Sequence, residues 1–95
     1  MGIGSLNMRK VFKYQLGDFK LPHSFDIHRG GILRSVQVQN KAICLWFEVD
    51  DTNPTESRTF QVFGTGQNLP DGVLWYCGTF QLFDGDFIGH VYEIR

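Results

Sequence analysis

The chain has 95 residues, nine basic and ten acidic side chains and a formal net charge of −1. That length supports one domain, and the sparse, mixed charge excludes the clustered Lys/Arg surface that grips a DNA or RNA polymer by displacing counterions. No apolar run approaches the ~20 residues that span a membrane and no secretory h-region is present, which predicts a cytoplasmic protein without a membrane partner.

Met1–Asn7 read as a tail or a cloning remnant, and residues 8–95 as a single β domain. Helical periodicity is absent, and period-two alternation punctuated by Gly, Pro, Asn and Asp takes its place. Arg9–Leu16 is the first expected strand, with Phe12, Tyr14 and Leu16 on one face, and Gly17-Asp18 breaks it. Short extended pieces are expected at Phe19–Leu21, before Pro22, and at Phe25–His28, before the Gly30-Gly31 turn. Ile32–Gln39 is the second long strand, with Ile32, Arg34, Val36 and Val38 sharing a face. Asn40-Lys41 has the chemistry of a two-residue hairpin turn, because Asn tolerates positive φ.

Ala42–Val49 is almost continuously apolar, which predicts a central strand covered on both faces. It presents Ile43, Leu45, Phe47 and Val49 on one side and Cys44, Trp46 and Glu48 on the other. Asp50–Ser57 reads as a loop, Arg58–Phe63 as a strand and Gly64–Gly72 as a long turn-rich loop. Val73–Phe83 is a strand bent at Gly78, Asp84-Gly85 is the strongest hairpin signal, and Phe87–Ile94 closes the domain. The expected fold is all-β: an antiparallel meander of about six strands forming a small sandwich or partly open barrel.

Catalytic and metal chemistry finds little support. His23, His28 and His90 lack partners at metal-ligand spacing. Asp50-Asp51 and the pair Asp84 and Asp86 are explained by turn chemistry. No Ser stands in a nucleophile elbow. Cys44 and Cys77 sit in apolar runs and read as buried thiols. The chain therefore reads as a protein that binds and does not catalyse, with no cofactor and no metal.

Binding has a location. In Gly64-Thr65-Gly66-Gln67, two glycines let the backbone curl so that successive N–H groups converge into an anion-holding nest; the competing reading is a tight connector. Arg58 in the preceding strand is the expected cation, and Trp46 or Tyr76 the stacking ring, for a small anionic or nucleotide-like ligand. Glu48 needs a partner, and Arg58 or Arg34 is a candidate. Nine Phe, three Tyr and two Trp exceed what one small core takes, which leaves rings for a groove or a subunit interface, homo-oligomeric or with a host protein.

Arg-Lys-Val-Phe-Lys-Tyr at 9–14, Val36–Gln39 followed by Leu45-Trp46, Arg58–Phe60, Phe63–Gln67, Gly78–Gln81 and His90–Glu93 together resemble a family of small uncharacterised proteins of tailed bacteriophages. The resemblance implies an accessory role in the host cytoplasm. One form of it is counter-defence, by sequestering a nucleotide-derived signalling molecule. The alternative is a protein–protein module, either an inhibitor of a host factor or a phage structural component.

Overall fold

The computed structural model describes residues 8–72 and 74–95. Met1–Asn7 and Val73, which opens one of the expected strands, lie outside the described residues. The described residues form seven strands: β1 (Arg9–Leu16), β2 (His23–His28), β3 (Ile32–Gln39), β4 (Ala42–Asp50), β5 (Thr55–Gly64), β6 (Leu74–Leu82) and β7 (Phe87–Ile94). Every recorded strand pair is antiparallel. A three-stranded sheet runs β1-β4-β3 and a four-stranded sheet runs β2-β5-β7-β6. The protein is thus an all-β sandwich and not a closed barrel. No helix among the described residues is long and apolar enough to cross a membrane.

The connectivity departs from a simple meander. Only β3–β4 and β6–β7 are paired hairpins of consecutive strands. The first turns at Asn40 and Lys41, with φ of 50° and 67°, as a two-residue hairpin requires. The second turns through Phe83–Gly85, where Phe83, Asp84 and Gly85 all have positive φ. The β1–β2, β2–β3 and β4–β5 connections cross between layers, and β5–β6 stays in the larger sheet, leaving the place of β7 between them. Phe19–Leu21 is a turn, not a strand, closed by the Leu21 amide on the Asp18 carbonyl at 3.2 Å. Gly31 is where the chain passes from β2 to β3. A Cβ there would meet Ile27 Cγ2 at 2.8 Å and Val49 Cγ1 at 3.2 Å, so a side chain would force the layers apart. Asn53 and Pro54 return the chain to the second layer, tied to Arg29 by hydrogen bonds of 3.1 and 2.9 Å.

The core lies between the sheets. Ile43, Leu45, Phe47 and Val49 of β4 face Phe60, Val62, Val91 and Phe80, all buried. Phe47 and Phe60 meet edge to face at 5.8 Å, and burying such a ring stabilises by roughly 2–3 kcal/mol over leaving it in water. β4 is central, as expected, but only one of its faces is roofed by the other sheet. On its outer face Trp46 and Glu48 are half-buried among side chains of β1 and β3.

Two irregularities reset the side-chain register. In β3 the pairing slips between Leu33 and Ser35, so Leu33, Val36 and Val38 share the face of Phe47, Leu45 and Ile43. Ile32 pairs with Glu48 on the outer face and is 50% exposed, contrary to the expected grouping with Val36. In β6 the slip falls between Tyr76 and Gly78. The extra residue, Cys77, packs toward the core, and burial pushes its thiol up to about 11.

Candidate functional site

The structure separates the residues expected to form one pocket. Arg58 lies near the start of β5 and points between the sheets. Its Nε and Nη2 donate to the two Glu93 carboxylate oxygens at 2.7 and 2.8 Å, and Nη1 donates to the Gly31 carbonyl at 2.7 Å. Its guanidinium lies over the Phe47 ring at 5.0 Å. Arg95 adds a third donor to Glu93 at 3.0 Å and rests over Trp75 at 4.6 Å. Burial raises the Glu93 pKa, and hydrogen bonds from Arg58 and Arg95 outweigh it, so the carboxyl sits below its ordinary value. An open cleft of about 510 Å³ borders this cluster, lined also by Glu56, Ser57 and Gly30. Two arginines against two glutamates leave it without net charge. The forked pair joins β5, β7 and the β2–β3 crossing, which makes Arg58 a structural clamp.

The Gly64–Gln67 loop is at the far end of β5, six residues on, or about 20 Å along the strand. Three of its four amides are already committed. Gly64 N–H donates to Gln67 Oε1 at 3.0 Å, Thr65 N–H to the Ile88 carbonyl at 3.3 Å, and Gln67 N–H to the Gly64 carbonyl at 3.0 Å. Gly66, at φ 88°, takes the left-handed position of a type II turn. Three of the amides expected to form a nest are therefore spent within the turn and on Ile88, and Arg58 is not beside it.

The loop does meet a group that sequence reasoning passed over. Thr65 Oγ1 is 2.8 Å from His90 Nε2, His90 Nδ1 is 2.9 Å from Thr79 Oγ1, and Thr79 Oγ1 is 2.6 Å from the Tyr76 hydroxyl. This row crosses the outer face of the four-stranded sheet from the loop to β6. The slip at Cys77 creates it: residues three apart in a strand normally face opposite ways, yet Tyr76 and Thr79 share a face here. The imidazole can accept at one nitrogen and donate at the other, and the hydroxyls can turn to match either tautomer. Tyr76 packs edge to face on Tyr92 at 5.6 Å, and Tyr92 on Phe63 at 5.8 Å. Beside them a groove of about 220 Å³ is lined by Phe63, Thr65, Gly66, Gln67, Leu69, His90 and Tyr92. Leu69, at 47% exposure, leaves its rim in solvent, and Tyr76, next to the groove through Tyr92, is 59% exposed.

Trp46 belongs to neither place. It lies on the outer face of the three-stranded sheet, with the Lys13 ammonium 5.7 Å from its ring centre. Glu48, beside it, pairs with Arg34 at 2.9 Å and with Arg9, so the expected Arg34 contact is found and the Arg58 one is not. His23 and His28 are tied to backbone carbonyls of Asp18 and Asn53 at 2.8 and 2.6 Å.

These features define a two-sheet all-β domain with a ring-lined groove on one outer face. Residues 8–95 match the model of a family described as a domain of unknown function (DUF7352), and the chain belongs to that family. No curated protein and no solved structure matches the chain.

Proposed function

We propose that the protein is a binding module that captures a small ring-bearing ligand on the outer face of the four-stranded sheet. The observation that carries this reading is the Thr65–His90–Thr79–Tyr76 row lying against the exposed Tyr76 ring. Tyrosine rings offer stacking to any planar base, worth ~1–3 kcal/mol each. The hydroxyls and imidazole suit ribose-type hydroxyl groups, because each can donate or accept. Neither Arg nor Lys lines the groove. Recognition therefore rests on ring and hydroxyls, with phosphate secondary. This keeps the nucleotide-derived class expected from the sequence but moves its contacts from Arg58 and the Gly64–Gln67 amides to His90, Tyr76 and Tyr92. Capture alone would remove such a molecule from signalling without turnover, which is the counter-defence role the phage resemblance implies.

Calorimetric titration with adenosine, guanosine and their cyclic monophosphates tests the reading. A nucleoside and its cyclic phosphate are expected to bind with similar affinity. His90→Ala and Tyr76→Ala are each expected to weaken binding about tenfold, and Arg58→Lys to leave it unchanged. Binding that demands the phosphate, or none by any of these compounds, would overturn the proposal.

A further inference from the structure

The two layers differ in charge. β1, β3, β4 and the Asn40-Lys41 turn carry five basic residues against Glu48 and Asp50, an excess of three positive charges. The rest of the chain carries four basic and eight acidic residues, an excess of four negative charges. The near-neutral total conceals this polarity.

Part of this excess lies on one surface, where Arg9, Lys13 and Arg34 stand with Glu48 and, opposite Arg9, Asp50, while Lys10 is paired with Asp51. On the outer face of the three-stranded sheet, Val11, Glu48 and Ile32 form one cross-strand row, and Lys13, Trp46 and Ser35 the next. Arg9 and Arg34 both reach Glu48, so two guanidinium groups share one carboxylate. Lys13 bonds only the neutral Gln39 side chain, at 2.8 Å. The Trp46 Nε1–H is buried and has no acceptor among the described residues. Val11 at 60% and Ile32 at 50% exposure flank it with apolar surface.

We propose that this face docks an acidic partner protein, with Trp46 as the anchor and Arg9, Lys13 and Arg34 as the charged rim. Trp and Arg are the residue types that dominate binding energy at protein interfaces, and an apolar centre with a charged rim is the interface pattern. Charge complementarity selects an acidic surface and speeds encounter. A nucleic acid fits less well: a single ring offers little stacking, Glu48 repels phosphate, and Val11 and Ile32 gain nothing from a phosphate backbone. A second copy fits poorly too. Face to face it sets like charges together, and head to tail onto the acidic layer it repeats without closing.

Nitrogen-15 NMR titration of the full chain tests this with two probes, an extended peptide in which Glu alternates with Val and Ser, and an oligodeoxythymidylate of equal charge. The peptide is expected to shift the Trp46 indole N–H and the β1, β3 and β4 amides, with an affinity that falls as salt rises. The double variant Lys13→Glu, Arg34→Glu should weaken peptide binding at least about tenfold, and Trp46→Phe should weaken it while its thermal unfolding stays near that of the parent. No shift, shifts with the oligonucleotide only, equal binding by the charge-reversed variant, or self-association that the charge reversal abolishes would each overturn the proposal. His90→Ala should leave this titration unchanged, which separates it from the groove on the opposite sheet.

Discussion

Glu93 is the charged residue the sandwich covers most completely among those described, at 5% exposure. A carboxylate so placed is costly unless its oxygens are filled, and Arg58 and Arg95 supply three hydrogen bonds to them. Removing the carboxylate strands Arg58 over the Phe47 ring with its charge uncompensated. Glu93→Gln is therefore expected to lower the unfolding free energy by about 3 kcal/mol in urea titrations. Replacing both partners, as Arg58→Met with Glu93→Leu, should cost less than the single change, because no charge is left buried. A double variant less stable than Glu93→Gln would show that the pair contributes more than its own neutralisation.

At the scale of elements, the slip in β6 positions both the core and the groove. A Cβ at Gly78 would stand 2.9 Å from Val36 Cγ2 and 3.0 Å from Val36 Cβ, where β6 presses on β3. Gly78→Ala is expected to cost about 2 kcal/mol by overpacking. Adding Val36→Ala should recover part of that loss, read as a coupling in a double-mutant cycle of urea midpoints. The same slip shows what sequence patterning can carry. Alternation located the strands because it depends only on neighbours in the chain, and Asn40-Lys41 announced its hairpin through local backbone preference. The slips at Arg34 and Cys77 leave no comparable local mark, so alternation alone groups Ile32 with Val36 and sets Tyr76 and Thr79 on opposite faces. The groove was half legible. Gly64–Gln67 and Tyr76 stood out by composition, but His90 acquires its partners only through the β5–β7 and β6–β7 registers. Arg58 looked like a free cation because Glu93, 35 positions away in the chain, neutralises it only after folding.

For the molecule as a whole, acid is the condition that exposes these arrangements. Burial raises the Glu93 pKa, but hydrogen bonds from Arg58 and Arg95 more than offset it and leave it lowered; hydrogen bonds from Arg34 and Arg9 lower Glu48, and bonds from Thr52 lower Asp50. A carboxyl with a depressed folded pKa binds its proton more readily when unfolded. Its stabilisation is thus complete above the unfolded value and is lost as pH falls through the folded one. The urea midpoint is expected to hold steady from neutral pH to about 5 and to decline below about 4. Most of the decline should come from Glu93, the most deeply covered of the three, so Glu93→Gln should give a shallower acid limb.

β7 is the seventh strand in the chain, yet it lies inside its sheet, between β5 and β6. During synthesis β5 and β6 are therefore made before the strand that joins them. A nascent chain lacking β7 displays two open strand edges and an unpaired Arg58, the kind of surface that templates wrong pairing. Beyond the β2–β5 pair, completion of the larger layer, and with it the Thr65–His90–Thr79 row, consequently waits on β7.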